Sequence, residues 1–359
     1  MAGEPRSPLK PLLLAGPTAV GKSAVALALA ERLGGEIISV DSMQVYRGLD
    51  LGTAKPTAAE RARVPHHLID VAELTEFFDA ARFVRLANAA LREIQARGRV
   101  PIFCGGTGLY FKAFLEGLGE APPADEKLRA ELEATPLDKL LLELEERDPA
   151  TFAKIDHHNS RRVIRAMEVI RLTGRPFSEQ RAKWGGTSGE PRSADIPVRG
   201  FTGHSCPVST GLDLAAPSHQ LATGKSREPA DTNVCPTSRF IGFARTSADL
   251  HARINTRVDE MFATGLVEET RRLLERGLEQ NKTAMQAIGY RQVVEHLRGE
   301  RSLPETIELV KIRTRQFAKR QMTWFRRQAP VTWLGLEPND AAEAVATCLE
   351  SRLQAANDG

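Results

Sequence analysis

Eight consecutive residues, Gly16-Pro17-Thr18-Ala19-Val20-Gly21-Lys22-Ser23, have the types and spacing needed to hold phosphate. Glycines at both ends let backbone N–H groups converge on phosphate oxygens, and a helix starting at the second glycine adds partial positive charge. Lys22 can neutralise phosphate charge, and the Ser23 hydroxyl can ligate Mg²⁺. A second chemical residue is Asp41, directly after the apolar run Ile37-Ile38-Ser39-Val40. An acid at the carboxyl end of a strand lies in the crevice of an open sheet, where it can hold Mg²⁺ through water or act as a general base. It can equally be a helix N-cap. A third group is Gly105-Gly106-Thr107-Gly108, whose glycines permit close backbone approach to a ligand and whose Thr107 offers a hydroxyl at the same edge. A plain strand-to-helix turn would read the same way. The run Gly224-Lys225-Ser226 repeats part of the first motif, but His219 stands at the leading-glycine position and no strand precedes it, so it is assigned no function.

These residues require a scaffold. Residues 11–15 read as a buried strand, 23–33 as a helix, 36–40 as a strand, 77–96 as a helix and 100–104 as a third strand. Alternating strands and helices imply an α/β fold, a parallel sheet with crossover helices. From about residue 122 the texture turns helical: 126–147 is dense in Leu, Glu and Lys, and 159–172 has helical spacing. Residues 250–276 and 306–327 read as long helices. The expected organisation is a P-loop NTPase-like catalytic core from 1–118 and 240–335, with an inserted helical subdomain at 119–184. An irregular, mobile insertion follows at 185–239, rich in Gly, Pro, Ser and Thr. A C-terminal helix and tail occupy 336–359.

The formal net charge of +3 is too small to attract nucleic acid globally, so any such affinity must be local. One stretch qualifies: residues 311–327 hold seven basic side chains and no acid, interleaved with Phe317, Trp324 and Phe325. That pattern suits tracking of phosphates with stacking groups, or a core helix with a solvated face. No apolar run reaches 18 residues, which argues against a membrane span. The N-terminus lacks the pattern of a secretory signal. Cys104, Cys206, Cys235 and Cys348 show no metal-ligand spacing and read as reduced thiols in the cytoplasm.

Taken in order, GPTAVGKS, the run at 41–57 (DSMQVYRGLDLGTAKPT), HHLID at 66–70, GGTGLYF at 105–111, NSRRVIRAMEV at 159–169, AMQAIGY at 284–290 and TRQFAKRQMTWF at 314–325 resemble the tRNA dimethylallyltransferase family. The resemblance covers roughly residues 11–335. It implies transfer of a dimethylallyl group from dimethylallyl diphosphate to N6 of the adenosine immediately 3′ of the anticodon, in tRNAs that read codons beginning with U. It implies Mg²⁺ as cofactor, with Ser23 as its protein ligand, and the tRNA anticodon stem-loop as partner of a monomeric, cytoplasmic enzyme. By position, Asp41 matches the general base for the N6 amine and Thr107 the residue that hydrogen-bonds the bridging oxygen of the donor. Lys22 completes the catalytic set. The loop Gly16 to Ser23 and Arg253 match the diphosphate grip. Asp41, Ser42, Met43 and Gln44, with Arg161, Arg162, Val163, Ile164 and Arg165, match stretches that contact tRNA. The chain departs from the family at Ser247, where a further arginine is expected; Arg245 is offset from that position by two residues.

Two other enzymes share the opening motifs. A small-molecule P-loop kinase has the same strand, loop and helix order, but the 41–44 run and the basic C-terminal helix speak against it. An adenylate prenyltransferase acting on free nucleotide would need neither the arginine cluster nor the helical subdomain.

Overall fold

The structure, a computed structural model, describes residues 9–180 and 239–355. The expected irregular segment (all but Arg239), the GKS run at 224–226, Cys206 and Cys235 lie outside them. In chain order the elements are β1 (Leu12–Ala15), α1 (Lys22–Leu33), β2 (Gly35–Val40), α2 (Ala58–Arg63), β3 (His66–His67), α3 (Ala80–Ala96), β4 (Val100–Gly105), α4 (Gly108–Glu116), α5 (Glu126–Ala134), α6 (Leu137–Arg147), α7 (Pro149–Phe152), α8 (Ser160–Thr173), α9 (Phe177–Gln180), β5 (Phe240–Ala244), α10 (Ser247–Ala263), α11 (Leu266–Glu275), α12 (Tyr290–Leu297), α13 (Leu303–Gln328), β6 (Thr332–Gly335) and α14 (Ala342–Ala355).

The strands form one parallel sheet in the order β3-β2-β4-β1-β5-β6. Because side chains alternate along a strand, β1 feeds two cores. Leu12 and Leu14 join Val25 and Leu29 of α1 on one face, while Leu13 and Ala15 join Phe83 and Ala87 of α3 on the other. The expected α/β architecture is therefore present, with three strands more than those read from the sequence. β5 and β6 are short, and β3 has only two residues, so periodicity offers little signal there.

Local chemistry moved several helix boundaries. α3 begins at Ala80 rather than residue 77, because the Asp79 carboxylate caps it by accepting from the Arg82 N–H (2.8 Å). The expected helix at 126–147 is two helices, since Pro136 lacks the N–H that would continue α5. The helix expected at 250–276 starts earlier, after its Thr246 cap, and breaks at Gly265, whose φ of 108° is left-handed.

Helices α5, α6 and α8 bury their own small core around Leu132, Leu140, Leu144, Val163 and Met167. Val345, Ala346 and Leu349 of α14 pack into the core on the α1 side of the sheet, and Arg32 pairs with Glu350 (2.6 Å).

Candidate active site

The carboxyl ends of β1, β2 and β4 carry, respectively, the phosphate loop, Asp41 and the Gly105–Gly108 turn. Parallel pairing in register (Ala15 with Gly105, Val40 with Gly105) brings the three groups to one edge. Gly21 forms the N-cap of α1 with φ 104° and contributes no side-chain cap, so the first-turn N–H groups remain open to an anion. Ala19 is also left-handed (φ 63°), a strained conformation for a residue with a Cβ. The surroundings hold it there. The Ala19 carbonyl accepts from Arg253 Nε (3.0 Å), the Val20 carbonyl from Arg245 Nε (2.8 Å), and the Pro17 carbonyl from Lys22 Nζ (3.3 Å). Val20 itself is fully buried in the core, so it serves the loop through its backbone.

Two further side chains fix Thr18. Its N–H donates to Gln321 Oε1 (2.9 Å), and its hydroxyl accepts from Arg257 Nη1 (3.0 Å). Gln321 also donates from Nε2 to the Gly106 carbonyl (2.9 Å), tying the phosphate loop to the third glycine turn. A Cβ at Gly106 would lie 2.2 Å from that pinned amide nitrogen, which is why glycine is required there. Sequence reading assigned neither residue. Arg257 had a usable signal, one helical turn after Arg253. Gln321 lies within the 314–325 run but 303 residues from its partner, so no local spacing links the two.

A cavity of about 660 Å³ opens over the loop. Lys22, Ser23, Arg253 and Arg257 line it together with Asp41, Gln44, Glu60, Glu260 and Phe317. Burial pushes the Lys22 ammonium below its usual range; the nearby Asp41 offsets this in part, while Arg257 adds to it. Burial likewise lowers Arg257, against the pull of Asp41. Burial pushes the Cys104 thiol up to about 11, so it remains protonated beside Ser23.

Asp41 uses one carboxylate oxygen, Oδ1, to accept from the N–H groups of Met43 (2.8 Å) and Gln44 (3.3 Å). The capping alternative is thus realised at a turn rather than a helix, and the residue still lines the cavity. The Thr107 hydroxyl accepts from the Ser42 N–H (3.1 Å), linking the second and third motifs; Thr107 is not in the cavity wall. Gln44 Oε1 accepts from Ser39 Oγ (2.9 Å), and Nε2 donates to the carbonyls of Thr53 (3.1 Å) and Ala54 (3.3 Å). Met43 packs against the main core.

The arginine stretch divides in the same way. Arg161 and Arg162 are exposed on α8, with Arg161 reaching Gln286. Val163 is fully buried, and Ile164 packs partly buried against the subdomain core. Arg165 binds the fully buried Glu168 (2.6 Å) and the Pro122 carbonyl (2.6 Å), alongside Arg129 (2.7 Å). Its guanidinium is committed to the fold. Arg165→Ala should therefore cost roughly 1–3 kcal/mol in denaturant unfolding, whereas Arg161→Ala should leave unfolding unchanged and weaken tRNA in a gel-shift titration.

Helix α13 reconciles both readings of residues 311–327. Phe325 is fully buried and Trp324 partly so, while Phe317 is exposed under the Arg320 guanidinium, 5.8 Å from the ring centroid. Arg245 does not replace the arginine expected at position 247. It is buried behind the loop, paired with Asp249 (2.8 Å) and donating to the Glu337 carbonyl (2.6 Å), while Ser247 opens α10.

The sequence profile described as IPP transferase matches residues 44–201 and 215–328. The chain is 42% identical over 334 residues to a protein named tRNA dimethylallyltransferase 1 from Trichlorobacter lovleyi, covering 92% of this chain and 95% of that one. It is 41% identical to the tRNA dimethylallyltransferase of Geobacillus kaustophilus, covering 91% and 90%. The fold is similar to the crystal structure of tRNA isopentenylpyrophosphate transferase from Bacillus halodurans, with TM-score 0.60, 36% identity and coverage of 97% and 98%. It is also similar to a eukaryotic dimethylallyltransferase acting on tRNA, with TM-score 0.69, 25% identity and coverage of 98% and 79%.

Proposed function

The chain belongs to the IPP transferase family, and we propose that it transfers the dimethylallyl group of dimethylallyl diphosphate to N6 of the adenosine 3′ of the anticodon in tRNAs reading codons that begin with U. The observation that carries this reading is that one cavity is lined by Lys22, Arg253 and Arg257 together with Asp41, with Phe317 and Gln321 of the basic helix α13 in its wall. A cationic wall suits a departing diphosphate. A carboxylate in the same cavity suits a nucleophile that must lose a proton.

In the reaction, the N6 nitrogen attacks C1 of the donor. The C1–O bond breaks and its electron pair leaves with the diphosphate, while the N6 proton passes to the Asp41 carboxylate. An exocyclic adenine nitrogen is a poor nucleophile because its lone pair is delocalised into the ring, so proton removal as the bond forms lowers the barrier. Open N–H groups at the start of α1 and the Lys22 ammonium receive the growing negative charge. The target base must leave its stack to reach the cavity. Arg161, Arg162 and the exposed basic residues of α13 supply sites for tRNA phosphates. Thr107 acts through the Ser42 N–H to hold the Asp41 turn.

Mg²⁺ fits the donor set. Ser23 presents an exposed hydroxyl at the end of the loop, and a hard cation that keeps several waters needs few protein oxygens when substrate phosphates supply others. Ser23 would hold it, and when bound it would supply additional positive charge to the leaving diphosphate. We take the enzyme to act as a monomer in the cytoplasm. Among the described residues no helix is long and apolar enough to cross a membrane.

Dimethylallyl diphosphate labelled in the prenyl carbons, offered with tRNA, with AMP, or withheld while ATP is supplied, tests the reading. Label is expected in tRNA alone. Label in AMP but not tRNA would overturn it in favour of an adenylate prenyltransferase.

A further inference from the structure

Taking Asp41 as the proton acceptor of the proposed transfer, we infer that Glu269 and Tyr290 are positioning residues for the reaction: together they clamp the turn at residues 50–54, and through that turn they fix the part of the cavity wall that carries Gln44 and Asp41. Neither residue lines the cavity. Glu269 stands on α11 and Tyr290 opens α12, 218 to 238 residues along the chain from the backbone groups they hold.

Three successive N–H groups of the turn find their acceptors in this pair. Glu269 Oε1 accepts from Asp50 (3.2 Å) and Leu51 (3.1 Å), and Oε2 also accepts from Leu51 (3.1 Å). The Tyr290 hydroxyl accepts from Gly52 (3.1 Å) and donates to Glu269 Oε1 (2.5 Å), so the two side chains act as one unit. Tyr290 is fully buried, and a Cβ at position 52 would lie 2.5 Å from its ring, so only glycine admits the ring this close to the turn. Burial pushes the Glu269 carboxyl above its usual range, while the Tyr290 hydroxyl and the turn's N–H groups work against that. A desolvated carboxylate is thus tolerated here through the donors it organises.

The other end of the turn belongs to the cavity. Thr53 and Ala54 line it, and their carbonyls accept from Gln44 Nε2 (3.1 and 3.3 Å). Ala54 is left-handed (φ 46°), a conformation that a residue with a Cβ keeps only where its surroundings enforce it. The Gln44 backbone N–H then donates to Asp41 Oδ1 (3.3 Å). One hydrogen-bonded chain therefore runs from α11 and α12 through the turn and Gln44 to the carboxylate. Lys55, bonded to Asp50 (2.8 Å), Asp70 (2.6 Å) and the Tyr46 carbonyl (2.6 Å), still tethers the segment when the clamp is removed, so its loss shifts the turn without unfolding it. A shift of about 1 Å in a catalytic group is enough to cost on the order of 100-fold in rate.

The test uses the full-length protein, single-turnover prenyl transfer to tRNA, the donor KM and amide hydrogen exchange resolved along the backbone. Glu269→Ala should speed exchange at residues 50–54 by about 10-fold or more, while residues 12–33 exchange as before. It should lower kcat by about 10- to 100-fold and leave the donor KM within about twofold. Tyr290→Phe should act in the same direction through the Gly52 N–H alone. Glu269→Gln keeps a carbonyl acceptor for Asp50 and Leu51 and should bring kcat back to within about threefold of the unaltered protein. Because the effect passes through Gln44, adding Glu269→Ala to Gln44→Ala should lower kcat no further than the more damaging single change. Unchanged exchange at 50–54 in Glu269→Ala would overturn the clamp. Faster exchange there with kcat retained would overturn the positioning role. A general loss of protection, with kcat and donor KM failing together and no recovery in Glu269→Gln, would also overturn it and make the pair a part of the core. Absence of transfer by the unaltered protein would overturn the proposed reaction and the catalytic role with it, while exchange at 50–54 would still decide the clamp.

Discussion

Asp41→Asn should lower kcat by about 10²- to 10⁴-fold, the usual contribution of a positioned general base, while leaving tRNA affinity within a few-fold. The substitution is chosen for what it preserves. Asp41 Oδ1 accepts from the N–H groups of Met43 (2.8 Å) and Gln44 (3.3 Å), and an asparagine carbonyl can accept the same two bonds. The turn that carries Ser42 beneath the Thr107 hydroxyl (3.1 Å) is then kept, and only the capacity to take a proton is removed. Asp41→Ala removes both, so the difference between the two variants in unfolding experiments isolates the turn. Single-turnover prenyl transfer with bound tRNA measures the chemical step directly. Near-normal turnover in Asp41→Asn would remove Asp41 from the proton transfer.

Lys22→Met should have the next largest effect, a loss of about 10²- to 10³-fold in kcat/KM for the donor, the scale found when one preorganised charge-stabilising group is deleted. Its effect on stability should have the opposite sign. Burial holds the Lys22 ammonium below its usual range, so over the pH window between that lowered value and 10.5 the unfolded chain binds more protons than the folded one. Stability from this group consequently rises with pH through that window, and at neutral pH the enclosed ammonium opposes folding. Removing it should leave the unfolding temperature of the ligand-free protein unchanged or raised. Donor binding should show the converse trend. As pH rises through the lowered value the ammonium loses its proton and kcat/KM for the donor falls, at a pH below that of an exposed lysine. A profile flat to pH 10 would contradict the burial of Lys22. An unfolding temperature well below that of the unaltered protein would make Lys22 structural, through its bond to the Pro17 carbonyl (3.3 Å).

The loop Gly16 to Ser23, Asp41 and the Gly105–Gly108 turn were legible in the sequence because each is a local pattern. Glycines stand at set offsets, an acid ends an apolar run, and every group is specified by residues within a few positions of itself. The parallel sheet that gathers them followed from alternating strand and helix periods. Helix boundaries were less legible, and each shift has a nameable cause in a cap or a breaker: Asp79, Pro136, Gly265.

Roles within a motif were decided by tertiary contacts. From sequence, Arg161, Arg162 and Arg165 are equivalent charges on one helix. Only packing shows that Arg165 neutralises the buried Glu168 while the other two face outward. Gln44 lines the cavity, yet both ends of its amide hold the 39–54 turn. Arg245 and Arg257 flank Arg253 in sequence, eight residues before it and four after it. One is locked behind the phosphate loop by Asp249, and the other faces the cavity with no carboxylate partner. Gln321 shares no local signal with Thr18 and Gly106, which it joins. The sequence by itself determined which backbone could cradle phosphate, because that depends on glycine dihedrals and a helix start, both local properties. Only the tertiary structure decided which cations remain unpaired around that cradle, because pairing depends on residues brought together from β5, α10 and α13, far apart along the chain.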